Sequence, residues 1–195
     1  DELNRRLAPY GRQIGPDPSS GNRATVGGVI GNNATGAHSL KYGYISHHVR
    51  RVRAVSADGQ LLELADHSPG PNVGGLVGKW ADSIYTLIHS NRELLERVRP
   101  RTERNRSGYD VFSILQDGRV HLGRLLAGSE GTLAIASQAA IGLVTRPKVK
   151  MLLQLNFETL DKMALALPAI LRTEPAACEL MDGKSLRLAR DAYPE

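Results

Sequence analysis

The amino-acid sequence predicts an α+β fold, a mainly antiparallel sheet flanked by helices. Three observations predict it. β-favouring runs flank Asp58-Gly59, amphipathic helical periods alternate with short apolar runs, and no repeated parallel strand-helix-strand rhythm joins them.

Leu3 and Leu7 mark one face of an opening helix. The segment from Gly15 to Gly36, closed by Lys41-Tyr42-Gly43, crowds glycines, amides and hydroxyls where a core needs bulk. Glycine lets the main chain approach a phosphate or a flat ring, and successive N–H groups cradle an anion; the competing reading is a long turn-rich loop. Val49 to Leu64 reads as a hairpin around Asp58-Gly59. His67 to Gly75 is a loop into one long helix, on which Trp80, Ile84, Leu87, Ile88, Leu94, Leu95 and Val98 repeat at about 3.6 residues and stop before Pro100. An irregular basic stretch leads to Ser107-Gly-Tyr-Asp110, and Asp117-Gly118 makes a second turn. Thr132 to Val144 and Met151 to Phe157 read as strands, and Leu160 to Leu171 as a helix kinked at Pro168. A strand from Ala176 to Met181 and a helix from Lys184 to Ala189 finish the chain.

With 195 residues, 41% hydrophobic and 23% charged, the chain is expected to bury a core of its own as one or two domains. No apolar run approaches the roughly 18 residues that cross a bilayer, and no charged-then-apolar leader is present, so the expected setting is cytoplasmic with no transmembrane segment. Cys178, the single cysteine, has no internal disulfide partner and reads as a small packed residue. Starting at Asp1 without methionine and stopping after Ala-Tyr-Pro-Glu195, the chain reads as an excised piece.

A net charge of +5 admits a nucleic-acid reading through Arg97, Arg99, Arg101, Arg104 and Arg106. Pro100 and Glu103 interrupt that run, aromatics at 5% leave few stacking platforms, and no nucleic-acid motif appears; no nucleic acid is the expectation. Other short motifs fail on spacing. Gly183-Lys-Ser185 would need its first loop glycine at Cys178, and Gly74-Gly75-Leu-Val-Gly78-Lys79 lacks both spacing and a magnesium hydroxyl. Gly27-Gly28-Val-Ile-Gly31 would need glycine at Val26, and Gly128-Ser129-Glu130-Gly131 is out of frame for a serine nucleophile. The six histidines show no metal-ligand spacing, so no metal site is expected.

Six blocks in order carry a resemblance. Pro16-Asp-Pro-Ser-Ser, Ala24-Thr-Val-Gly-Gly-Val-Ile-Gly-Asn-Asn-Ala-Thr-Gly36, Lys41-Tyr-Gly43, Ala57-Asp-Gly59, Ser107-Gly-Tyr-Asp110 and Gly128-Ser-Glu-Gly-Thr-Leu-Ala-Ile135 resemble the FAD-linked oxidase family, with the flavin fold of vanillyl-alcohol oxidase. The resemblance covers essentially the whole chain. It implies the second subdomain of a PCMH-type FAD-binding domain over 1–147, with the first subdomain missing, and the truncated start of a substrate cap domain over 148–195. Ala177-Cys-Glu-Leu-Met-Asp182 is similar to the family's entry into that cap.

The resemblance further implies FAD as cofactor and a 2-hydroxy acid as substrate, whose α-carbon gives a hydride to flavin. An iron–sulfur region or another electron acceptor belongs to the full-length protein on this reading. Asp17, Pro18, Ser19, Thr25, Gly27 and Gly28 would line the cofactor cleft. Asn32, Asn33, Ala34 and Gly36 would turn main-chain N–H groups toward pyrophosphate and flavin, and Glu130, Gly131 and Ile135 would form a second contact segment. The catalytic base is expected outside this chain, so no residue here is named for it. The two glycine-rich stretches must then meet in space as one wall of a dinucleotide slot. The alternatives are a catalytically silent FAD-binding or structural fragment and, behind it, a basic nucleic-acid-binding protein.

Overall fold

The computed structural model describes residues 1–70, 74–102 and 108–193. Pro71, Glu103, Arg104, Arg106, Ser107 and Glu195, each used in the sequence reading, lie outside them. Helix α1 (Glu2–Leu7) leads into β1 (Arg12–Gln13), then the glycine-rich segment with α2 (Val26–Gly31) and α3 (Ser39–Tyr42) and a 3-10 turn at Ile45–His47. The expected hairpin follows as β2 (Val49–Val55) and β3 (Leu61–Leu64), with Gly59 at φ 82° in its turn. Next come β4 (Asp66–His67), α4 (Gly75–Ser90), α5 (Arg92–Val98), β5 (Leu115–Gln116), β6 (Arg119–His121) and α6 (Leu122–Leu126). β7 (Ile135–Ile141), β8 (Val144–Thr145), α7 (Leu160–Leu171) and α8 (Gly183–Ala192) complete the order.

Every strand pairing among the described residues is antiparallel, in three small sheets ordered β3-β2-β7, β4-β6-β5 and β1-β8. Alternation explains the largest sheet. Val52, Ala54, Leu62 and Leu64 point inward and are buried, while Arg51, Arg53 and Glu63 form an outer polar face joined by Arg51–Glu63 and Arg53–Glu63 ion pairs. Trp80, Ile84, Leu76 and Val77 of α4 pack on the same core, which continues through Val120, Leu122 and Leu126 to Ile30 of α2 and Ile45.

Three expectations need correction. The single long helix is two, broken at Asn91, whose Nδ2 donates to the Leu87 carbonyl at 2.8 Å and so takes up a helix-end acceptor. The strand read over Thr132 to Val144 shortens to β7, with β8 pairing elsewhere. Residues 151–157 and 176–181 form no strands, since among the described residues no neighbour pairs with them; Met151, Leu152 and Leu153 stand 94%, 96% and 78% exposed. Pro168 does lie inside α7.

Candidate functional site

Val26-Gly-Gly-Val-Ile-Gly31 is a weak helix former, because each interior glycine costs roughly 1 kcal/mol against alanine. Two things hold α2 in place. Thr25 Oγ1 accepts the Gly28 N–H at 3.1 Å, and Ile30 is buried in the core. Gly27 and Gly31 then stand one helical turn apart with ordinary negative φ, and a Cβ added at either would meet nothing within 4 Å. Neither backbone conformation nor packing among the described residues requires glycine at these two positions. A flat occupant lying against the helix would.

The second glycine segment meets the first. The Gly128 N–H donates to the Ile30 carbonyl and the Glu130 N–H to the Gly31 carbonyl, each at 3.0 Å. Asn32 Nδ2 donates to Glu130 Oε1, also at 3.0 Å. The turn is left-handed at Gly128 (φ 89°), Glu130 (φ 49°) and Gly131 (φ 83°), and the Gly131 face is open, with nothing within 4 Å of an added Cβ. The two stretches expected to converge lie side by side.

On the far side of the 32–36 loop, Gly36 packs on the Asp17-Pro18 backbone so closely that an added Cβ would stand 1.7 Å from the Asp17 carbonyl oxygen. The Ala37 N–H donates to that carbonyl at 3.2 Å, and His38 Nδ1 lies 3.4 Å from Asp17 Oδ2. Asp17, Pro18, Ser19, Asn22, Thr35, Gly36 and Glu179, with Asp1, Gly21 and Ala37, line a cleft of about 830 Å³. That volume lies in the range of small-molecule sites, roughly 300–1,000 Å³. No Lys or Arg is among its described lining residues.

The main-chain role assigned to Asn32, Asn33, Ala34 and Gly36 is corrected by their hydrogen bonds. Their N–H groups donate to the Gly28, Ile30 and Val29 carbonyls and to Ser39 Oγ respectively, at 2.9–3.0 Å. A short helix must satisfy its own end, and this one does so with the very groups expected to face a ligand. Asn33, buried at φ 47°, also accepts the Ser46 N–H on its Oδ1 at 3.1 Å. Ala34 is buried as well. Thr25 is occupied as the α2 cap. Ile135, 69% exposed and paired with Val55, sits at the start of β7, and no hydrogen bond links it to the cleft. Glu179 and Asn22 are lining residues that the sequence reading left out. The Glu-Leu-Met-Asp stretch is a signal for the first, and the second lies in the amide-rich segment from Gly15 to Gly36 without being singled out there.

Comparison with known proteins matches both ends of the chain. Residues 1–65 match the family described as FAD binding domain, and residues 146–195 match FAD linked oxidases, C-terminal domain. The two ends of the chain are thus similar to two domains of FAD-linked enzymes. Glu179 falls in the second matched segment and Asp17 to Ala37 in the first, so the cleft is lined from both.

The chain is 34% identical over 200 residues to the D-2-hydroxyglutarate dehydrogenase of Escherichia coli (strain K12), covering 98% of this chain and 19% of that protein. It is 29% identical to the D-lactate dehydrogenase of Archaeoglobus fulgidus, with 100% of this chain and 34% of that protein covered. Against glycolate oxidase subunit GlcD of E. coli K12 the identity is 25%, over 97% of this chain and 29% of the subunit. The chain thus spans about a fifth to a third of the curated relatives it matches. A solved alkyldihydroxyacetonephosphate synthase superposes with a TM-score of 0.51 at 22% identity, covering 89% of this chain and 24% of that one, which speaks to the shared fold. Among the described residues no helix is long and apolar enough to cross a membrane.

Proposed function

We propose that this chain supplies one wall of an FAD slot in a flavin-dependent 2-hydroxy-acid dehydrogenase or oxidase. The observation that carries the reading is the open glycine face of α2 beside the open Gly131 face, stapled together by Asn32 and Glu130. Helical glycines that nothing among the described residues requires are explained by a ligand that lies where their Cβ atoms would be. In the reading, Gly27, Gly31 and Gly131 give surface to the cofactor, while Gly28, Asn33 and Ala34 hold the wall's shape. Asp17, Ser19, Thr35 and Glu179 offer carboxylates and hydroxyls, with no Lys or Arg side chain among the described lining residues. Such a lining suits hydroxyl groups of a cofactor better than its phosphates.

Bound FAD supplies a two-electron acceptor for the hydride of the substrate's α-carbon. The protein's part is to bind, orient and shield. The domain boundary falls at 147/148, and the substrate pocket, the base and an electron acceptor such as an iron–sulfur region belong to polypeptide outside these 195 residues. The setting is cytoplasmic. Cys178, expected to be packed, is instead exposed. Alone, the 195-residue chain holds FAD weakly or not at all, because it brings one wall only.

The test uses Gly27→Ala and Gly31→Ala in a full-length protein carrying this segment. Without flavin each variant gains stability of up to roughly 1 kcal/mol; FAD affinity falls at least tenfold. Alanine variants that keep FAD as tightly as the parent would refute the reading. Anaerobic flavin reduction against D- and L-2-hydroxy acids then checks the chemistry, since a flavin that stays oxidised against all of them removes the dehydrogenase assignment.

A further inference from the structure

The Gly108-Tyr109-Asp110 block has no part in the site described above. Gly108 is left-handed (φ 70°), and the turn it makes leads into Tyr109, whose hydroxyl lies 2.8 Å from Thr132 Oγ1. Thr132 Oγ1 also sits 2.5 Å from the carbonyl oxygen of Ser129. A carbonyl only accepts, and a threonine hydroxyl has one hydrogen to give. Thr132 therefore donates to Ser129, and Tyr109 donates to Thr132. The relay ends on a residue 3% exposed, whose carbonyl accepts the Thr132 N–H as well, at 2.9 Å.

That turn needs fastening. Three of its four residues from 128 to 131 are left-handed, and Glu130 carries a side chain there at φ 49°. Such backbone persists only where the surroundings over-determine it. The Gly31 carbonyl and the Asn32 amide hold Glu130 from the α2 side. Tyr109 and Thr132 hold the turn from outside α2, through Ser129.

We propose that Tyr109 is a positioning residue, whose hydroxyl acts through Thr132 to keep the Ser129–Thr132 turn in the shape that presents Glu130 and Gly131 to the cofactor. Only the identity of the ligand rests on the FAD reading; the relay itself does not. The test has two arms. In the 195-residue chain without flavin, amide hydrogen exchange is followed at Glu130 and Thr132, with β2 amides as the reference for intact folding. Tyr109→Phe and Thr132→Val each speed exchange at the turn by about three- to tenfold, the worth of one ordinary hydrogen bond. Thr132→Ser, which keeps the hydroxyl, restores parental exchange, and the Tyr109→Phe/Thr132→Val pair adds little beyond either single change. Parental exchange in Tyr109→Phe, or Thr132→Ser behaving like Thr132→Val, overturns the relay.

The second arm measures FAD affinity in a full-length protein carrying this segment. Tyr109→Phe weakens it by a similar factor while Thr132→Ser does not. Faster exchange with unchanged FAD affinity overturns the positioning role. A parent that binds no FAD at all defeats the FAD reading instead, and the exchange arm still decides the relay.

Discussion

Asn32 and Glu130, 98 positions apart in sequence, share a hydrogen bond of 3.0 Å from Nδ2 to Oε1. The bond is exposed, so its net worth is small, about 0.5–1 kcal/mol. Glu130 is also held at φ 49°, a conformation that glycine adopts freely and alanine does not. Glu130→Gly therefore trades a lost bond for relieved backbone, whereas Glu130→Ala loses the bond and keeps the strain. Urea denaturation should rank Glu130→Ala about 1 kcal/mol below Glu130→Gly; equal midpoints would show that the left-handed backbone carries no cost here.

Gly36→Ala is the severe substitution. Its Cβ would meet backbone atoms of Asp17 at 1.7 and 2.0 Å, and backbone cannot swing aside as a long side chain can. A loss of at least 3 kcal/mol is expected, in the tail that overpacking and strain reach. Circular dichroism melting of the variant checks it. A melting temperature within a few degrees of the parent would mean that Asp17-Pro18 yields easily.

Ser46 is fully buried, and its Oγ has no partner among the described residues, while its N–H is held by Asn33. Removing an unpaired buried hydroxyl relieves its desolvation cost. Ser46→Ala should raise stability by about 1 kcal/mol without disturbing the site loop. A clear loss in urea denaturation would indicate that the hydroxyl has a partner after all.

Asp182 caps α8, its Oδ1 accepting the Ser185 N–H at 2.6 Å. That main-chain bond, then the Ser185 hydroxyl, holds the carboxyl below its ordinary value. A lowered folded-state value means the cap contributes above the unfolded carboxylate range and is lost as pH falls through the folded one. Helix content of residues 183–192 should fall on acidification below about pH 4, and Asp182→Asn should flatten that dependence. An unchanged pH profile in the variant would contradict the cap.

The hairpin at Asp58-Gly59 was legible because its signal is local: a turn residue with φ 82° between two alternating runs. The breaks were not. Periodicity continues across Asn91, but a side-chain bond to Leu87 ends the helix there, and apolar spacing is blind to it. Met151 to Phe157 has strand composition yet no strand, since a strand is defined by its neighbour and none of the described residues provides one. At the site, the blocks identified the two glycine segments, and the resemblance rather than spacing implied that they meet. What no pattern revealed is that four of the expected N–H donors are already engaged inside the loop. Hydrogen-bond commitments follow from three-dimensional closure, which residue types alone leave open.

The ladder between β1 and β8, which sets Arg12 opposite Thr145 and Gln13 opposite Val144, has a consequence during synthesis. At about 5–20 residues per second, a ribosome needs on the order of ten seconds to travel from the first strand to its mate. For most of that interval the Asn32–Glu130 bond is unmade as well. Sequence separation alone therefore makes this ladder one of the last contacts available to the growing chain.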